Sequence, residues 1–281
     1  MTLPAQSWRL TVSYDGTDFR GWQIQPSQAT VQGELQAALG RVTGENPLPQ
    51  GSGRTDAGVH ALAQVASFAL QAAIPPENLI LALNRTLPES IRVTSALHVP
   101  PDFHARHSTV AKTYEYRVFV ERRHGGPRHI CPPFLARFVY SYPWPLSLTA
   151  LNDAAQYFIG THDFLSFAAT DPDQSTRDQS NGEAAVEDED GEPQTNAIRT
   201  IWGSTWHEQQ IPDGNLLVYR VRGSGFLHHM VRNLVGTMLD VGRGYTPATA
   251  IPEMIAARTR SAAGPTAPAR GLFLHSVEYP K

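Results

Sequence analysis

The hydrophobic positions of this 281-residue chain change period along its length, and the changes predict its elements. Over residues 8–14 apolar and polar side chains alternate, the pattern of a half-buried strand. Val31, Leu35, Ala38, Leu39 and Val42 then recur at helical spacing, which predicts an amphipathic helix over 31–42. A glycine-rich turn at 51–58 leads into a strand over 59–70. Pro75, Pro76 and Glu77 open a helix through Leu83, since proline is tolerated in a first turn, and 91–99 reads as a strand.

The second half repeats this order loosely. Residues 113–120 alternate as a strand, 148–158 form a helix, and 198–207 and 216–221 are paired strands with a turn at Asp213 and Gly214. A helix is expected over 226–241, with Phe226, Met230, Leu234 and Met238 on one face, then a shorter helix at 248–257 and a last strand at 272–279. The order implies an α+β protein of two similar halves, each a mainly antiparallel sheet with helices packed on one face. The halves are placed at 1–104 and 105–281, although no residue-level self-similarity is visible between them.

Residues 170–196 interrupt the second half. They hold no aromatic or large aliphatic side chain except Val186, so they cannot bury enough apolar surface to offset the entropy of ordering, and they are expected to be a disordered acidic surface insertion. Composition otherwise describes an ordinary globular chain, 41% hydrophobic and 17% charged. No stretch approaches a membrane span and the N-terminus lacks a signal-like apolar run, so the expected location is cytoplasmic. The lone Cys131 excludes an internal disulfide and multi-cysteine metal sites, and reads as a small packed side chain.

The net charge of −3 changes meaning once its distribution is considered. Residues 171–192 contain nine acidic residues and the single base Arg177; the rest of the chain carries 22 basic against 17 acidic residues. That excess permits a polyanionic partner.

The candidate chemistry lies in Gly51-Ser52-Gly53-Arg54-Thr55-Asp56-Ala57-Gly58-Val59-His60. Taken alone the segment is an ordinary turn, in which aspartate bonds nearby backbone, and no Gly-Lys-Ser/Thr follows to suggest a nucleotide phosphate loop. The eleven histidines raise a metal reading that their spacing does not support. His228 and His229 would stand about 100° apart on the predicted helix, His104 and His107 lack a zinc-helix context, and no His-Glu-x-x-His is present.

Around Asp56 the chain closely resembles the tRNA pseudouridine synthase A family, whose Gly-Arg-Thr-Asp-x-Gly-Val-His-Ala element is matched at every specified position from Gly53 to Ala61. Further matching blocks are Tyr14-Asp15-Gly16-Thr17 with Gly21-Trp22-Gln23, Val31-Gln32, Phe103-His104-Ala105-Arg106 and Lys112-Thr113-Tyr114-Glu115-Tyr116. Gly160-Thr161-His162-Asp163-Phe164, the run from Phe226 to Asn233, and Thr266-Ala267-Pro268 before Gly271-Leu272 complete them. The acidic insertion is longer than the family's connection there.

The resemblance implies a pseudouridine synthase-like fold of split β-α-β character and a cofactor-free, metal-free isomerisation of uridine to pseudouridine in tRNA, at positions 38, 39 and 40 of the anticodon arm, by a homodimer. It makes Asp56 the catalytic carboxylate and Arg232 the cation beside it. Tyr114 is set against the uracil, and Arg54 helps displace the base. The ordinary alternatives are a solvated helix position for Arg232 and plain sheet packing for Tyr114 and Tyr116, which share a strand face. Arg106 and Lys112 flank Tyr114 and are natural phosphate contacts; for Lys112 a solvated surface position is the competing reading. The carboxylate could attack C1′ of the sugar or remove the C2′ proton, and the residues do not separate the two routes. Two rival classes remain: a non-catalytic RNA-binding module, which would have no use for Asp56, and a His/Asp hydrolase.

Overall fold

The computed structural model describes residues 5–122, 125–126, 128–169, 186–187, 193–194, 197–211 and 214–280. The chain forms two compact units, Met1–Thr113 with Phe273–Lys281, and Tyr114–Leu272. Each is α+β, with a mainly antiparallel sheet.

In the first unit the elements run β1 (Gln6–Tyr14), α1 (Val31–Thr43), β2 (Gln50–Gly51), β3 (His60–Leu70), α2 (Pro76–Thr86) and β4 (Ile91–Val99). β1 lies between β3 and β4, antiparallel to both, and β2 pairs with β3. The expected alternation is present in β1, whose Trp8, Leu10, Val12 and Tyr14 are buried. Thr30 caps α1 by accepting from Gly33 N, and Gly44 ends it in the left-handed conformation that glycine adopts at least cost. Helix α2 is held to β4 by Asn84, whose amide both donates to Val93 O and accepts from Val93 N at 2.8 Å. The chain returns to this unit at its end: Phe273 and Leu274 pair in parallel with His60 and Ala61.

The second unit contains β5 (Ala111–Val120, from Tyr114 onward), α3 (Pro133–Ala136), β6 (Tyr140–Tyr142), α4 (Leu148–Gln156) and β7 (Gly160–Asp163). Two short strands β8 (Val186–Glu187) and β9 (Pro193–Gln194) precede β10 (Ile198–Ile211), β11 (Gly214–Gly223), α5 (Met230–Gly242) and α6 (Ile251–Ala256). The last strand, β12, is Leu272–Glu278. The sheet order is β5-β11-β10-β7, with β6 parallel to β5. Helix α4 packs on α5 and on β10, where Asn152 repeats the Asn84 device by bonding both Trp206 N and Trp206 O. Apart from β8 and β9, which pair with each other, the acidic insertion expected over 170–196 lies outside the described residues, as does Asp213 of the expected turn.

Two expectations need correction. The helix expected over 226–241 begins at Met230, because His229 takes a left-handed conformation at φ 58° and forces a turn before it. Phe226 is therefore not on the helical stripe, and His228 and His229 are turn residues with ring centroids 4.0 Å apart, not neighbours on a helix. The helix expected over 248–257 divides into a 3-10 turn, Ala248–Ala250, and α6, with Pro252 in the first turn of the new helix.

Candidate active site

The loop that carries Asp56 is fixed by the sequence blocks around it. Ser52 N donates to Val65 O at 2.8 Å, and the fully buried Gln64 takes the Ser52 hydroxyl at 2.6 Å while its amide donates to Gly53 O at 2.8 Å. On the other side Trp22 N donates to Thr55 O at 3.0 Å, and the Thr55 hydroxyl is 2.8 Å from the Tyr14 phenol oxygen. Burial pushes the Tyr14 phenol well above its ordinary pKa, so it is a neutral hydroxyl in this pair. Gly58 N donates to Phe19 O and Val59 N to Asp56 O, closing the turn. Every backbone constraint on Thr55 and Asp56 thus comes from a specific neighbour.

Close backbone approach explains the glycines of the Tyr-Asp-Gly-Thr and Gly-Trp-Gln blocks. A Cβ on Gly16 would lie 1.9 Å from Val59 O, and one on Gly21, whose φ is +89°, would lie 2.5 Å from Thr55 O. Gly16 N also donates to Nδ1 of His60, a fully buried ring stacked on Phe273 at 4.7 Å. These residues support the loop.

Within this frame Asp56 is half-buried and is the only acid in the segment 51–58. Arg54 is also half-buried, and its Nε donates to Gln23 Oε1 at 3.1 Å, which fixes the direction of the guanidinium. Arg106 lies in the turn after β4, where its N–H donates to His104 Nδ1 at 3.1 Å. Burial, then the positive charges of His107 and Arg106, hold the His104 pKa below its ordinary value. Lys112 is only 6% exposed on β5, so it is not a solvated surface lysine.

Tyr114 and Arg232 belong to the second unit. Tyr114 is buried on β5 and meets Phe226 edge to face at 5.1 Å, so the phenylalanine that is absent from α5 instead backs this tyrosine. Tyr116, on the same strand face, donates its hydroxyl to Pro268 O at 2.7 Å and packs against Gly271, a structural position. Arg232 stands in the first turn of α5. Its Nε donates to Ala267 O at 2.8 Å while Ala267 N donates to Arg232 O at 3.1 Å.

Next to Arg232 the fully buried Asn233 donates to Phe167 O and accepts from Arg260 and Thr266. Gly236 completes the approach of α5 to the 264–268 segment, since a Cβ there would lie 1.6 Å from Pro265 O. The structure thus places Asp56 and Arg54 on one loop of the first unit, and Tyr114 on β5 and Arg232 on α5 of the second. Sequence reasoning missed Gln64 and assigned no role to Gln23 and Asn233, which it met only within matching blocks; for the buried Gln64 and Asn233 the available signal was a neutral amide at an otherwise apolar position, which in a core must be hydrogen-bonded.

A family model described as tRNA pseudouridine synthase matches residues 10–108 and 154–280. Among curated relatives, the tRNA pseudouridine synthase A of Solibacter usitatus is 45% identical over 271 residues, covering 96% of this chain and 98% of the relative. The tRNA pseudouridine synthase A of Moorella thermoacetica is 41% identical over 273 residues, covering 96% and 98%, and that of Anoxybacillus flavithermus is 40% identical over 272 residues with the same coverage.

Proposed function

We propose a mechanism from one premise: the chain belongs to the tRNA pseudouridine synthase family, and it isomerises uridine to pseudouridine in tRNA. Asp56 is the catalytic carboxylate. The reaction breaks the bond from C1′ to N1, turns the freed uracil and rejoins it through C5, with no change of oxidation state. A carboxylate serves either by attacking C1′ or by taking the C2′ proton, and both need it ionised when substrate arrives.

Arg232 supplies the cation that favours this state, since a guanidinium does not lose its proton at physiological pH. The observation that carries the reading is the Asp56 loop, held from both sides by Tyr14, Trp22 and Gln64 so that its one carboxylate is presented by a rigid backbone.

Arg54, directed by Gln23, assists extrusion of the uridine, and Tyr114 faces the extruded base. Arg106 contacts phosphate; Lys112 does the same only where the RNA approaches closely, given its burial. The substrate uridines are those at positions 38, 39 and 40 of the anticodon arm, and the acting form is a cytoplasmic homodimer. Among the described residues no helix is long and apolar enough to cross a membrane.

The test is tritium release from unmodified tRNA carrying C5-tritiated uridine, with chelator-treated protein. Wild type releases tritium; Asp56→Asn and Asp56→Ala bind tRNA and release none. Equal release by these variants would sink the assignment of Asp56. Mapping the product at positions other than 38–40 would overturn the positional claim alone.

A further inference from the structure

The second unit contains an aromatic cleft that the chemistry of Asp56 does not use. Two adjoining cavities of about 260 and 390 Å³ share Trp144 and Arg243. Tyr140, Tyr142 and Trp144 line the first together with Asp240 of α5, Arg243 just past the end of that helix, Gly236 and residues 265–268. Trp144 is 54% exposed and Tyr245 is 74% exposed. The Arg243 guanidinium lies 4.6 Å from the centroid of the Tyr245 ring and 3.2 Å from Asp240 Oδ1.

We propose that this cleft is a nucleobase subsite that takes an unstacked guanine, stacked on Trp144 and read at its edge by Asp240 and Arg243, with Tyr245 backing the Arg243 guanidinium. Exposed aromatic faces are a stacking platform for any base. The adjacent ion pair adds a choice: a carboxylate accepts from two neighbouring N–H groups, N1 and N2 of guanine, while a guanidinium donates to O6. An apolar side chain from a second copy of the protein would cover the rings but offer the Asp240–Arg243 pair no polar partner in place of water.

Partial burial raises the Asp240 pKa against the pull of Arg243, so the carboxylate is imperfectly compensated as it stands and two further donors would relieve it. The guanine can come from a free nucleotide or from a guanosine of the RNA; the chemistry at the cleft is the same.

Equilibrium dialysis of the full chain against radiolabelled GMP, with AMP, CMP and UMP as comparators, tests the subsite. Saturable binding that is tightest for GMP is expected, weakened about tenfold in Asp240→Asn and by at least as much in Trp144→Ala. Both variants should keep wild-type tritium release at saturating tRNA. Displacement of bound GMP by excess tRNA identifies an RNA guanosine as occupant, and its persistence identifies a free nucleotide.

The proposal is overturned if wild type binds no nucleotide saturably, if another base is preferred, or if the two variants bind GMP as wild type does. Dissociation of a dimer by Trp144→Ala with GMP binding unchanged would instead make the cleft a contact between copies. The dialysis is independent of Asp56, so loss of the catalytic reading and loss of this one are separately visible.

Discussion

Arg232 and Ala267 hold each other twice, by a guanidinium bond to the Ala267 carbonyl at 2.8 Å and a backbone bond from Ala267 N to Arg232 O at 3.1 Å. A lysine keeps the positive charge but has neither the Nε donor nor the planar fork, so its ammonium is free to move. Arg232→Lys should therefore lower kcat by about a hundredfold, the scale of a misplacement near 1 Å, with little change in KM for tRNA. Single-turnover tritium release measures the step directly. A rise in KM with kcat unchanged would show that Arg232 binds RNA and does not position charge for the reaction.

Gln64 is the corresponding support on the other unit, satisfying the Ser52 hydroxyl and the Gly53 carbonyl from a fully buried position. Gln64→Ala removes the partner of both groups and should cost about 2–6 kcal/mol, since each buried polar group left unpaired costs about 1–3 kcal/mol. Urea denaturation gives the stability loss. At a temperature where the variant is folded, kcat should fall further than tRNA affinity, because the loop that presents Asp56 loosens while the basic surface stays. Unchanged kcat in the folded variant would refute the positioning role.

Much of this was legible beforehand, for reasons visible in particular residues. The alternation in β1 and the helical spacing of Val31, Leu35, Ala38 and Leu39 in α1 are local, and local patterns survive folding with little change. The loop around Asp56 was legible through its family resemblance, while its supports were not. Gln64 sits in an apolar strand and looks like an exposed interruption until its partners, 11 and 12 residues away, are known. The start of α5 was misplaced because nothing in Phe226-Leu227-His228-His229 announces a left-handed histidine. The parallel return of Phe273 to His60 joins residues more than two hundred positions apart, beyond any window of periodicity.

Gly16 and Gly44 separate two reasons for a glycine. At Gly44, φ is +74° and a Cβ would meet nothing within 4 Å, so Gly44→Ala should cost only the left-handed penalty of about 1–2 kcal/mol. At Gly16 a Cβ would fall 1.9 Å from Val59 O, next to the Asp56 turn, and the backbone must move. Gly16→Ala should lower the urea midpoint more than Gly44→Ala and also depress tritium release in the folded fraction, whereas Gly44→Ala should leave release unchanged. Equal effects of the two on both readouts would contradict the close approach.

Glu115 gives the second unit a pH dependence with a defined sign. Burial alone would raise its pKa, but hydrogen bonds from Arg117 Nε to Oε1 and from Arg220 Nε to Oε2, each 2.8 Å, together with both charges, hold it below the ordinary carboxylate value. A carboxylate whose folded pKa is depressed contributes stability fully present above its unfolded pKa of about 4.3 and lost as pH falls through the lower folded value. Thermal melts between pH 7 and pH 3 should therefore show an acid-side loss to which Glu115 contributes. Glu115→Gln should be less stable than wild type at pH 7, by about 1–3 kcal/mol, because Arg117 and Arg220 keep water on their exposed sides and only the buried end loses its match. Toward pH 3 the gap between the two proteins should narrow, as the wild-type carboxyl becomes neutral like the amide. A gap that stays constant across this range would show that the charge of Glu115 contributes nothing.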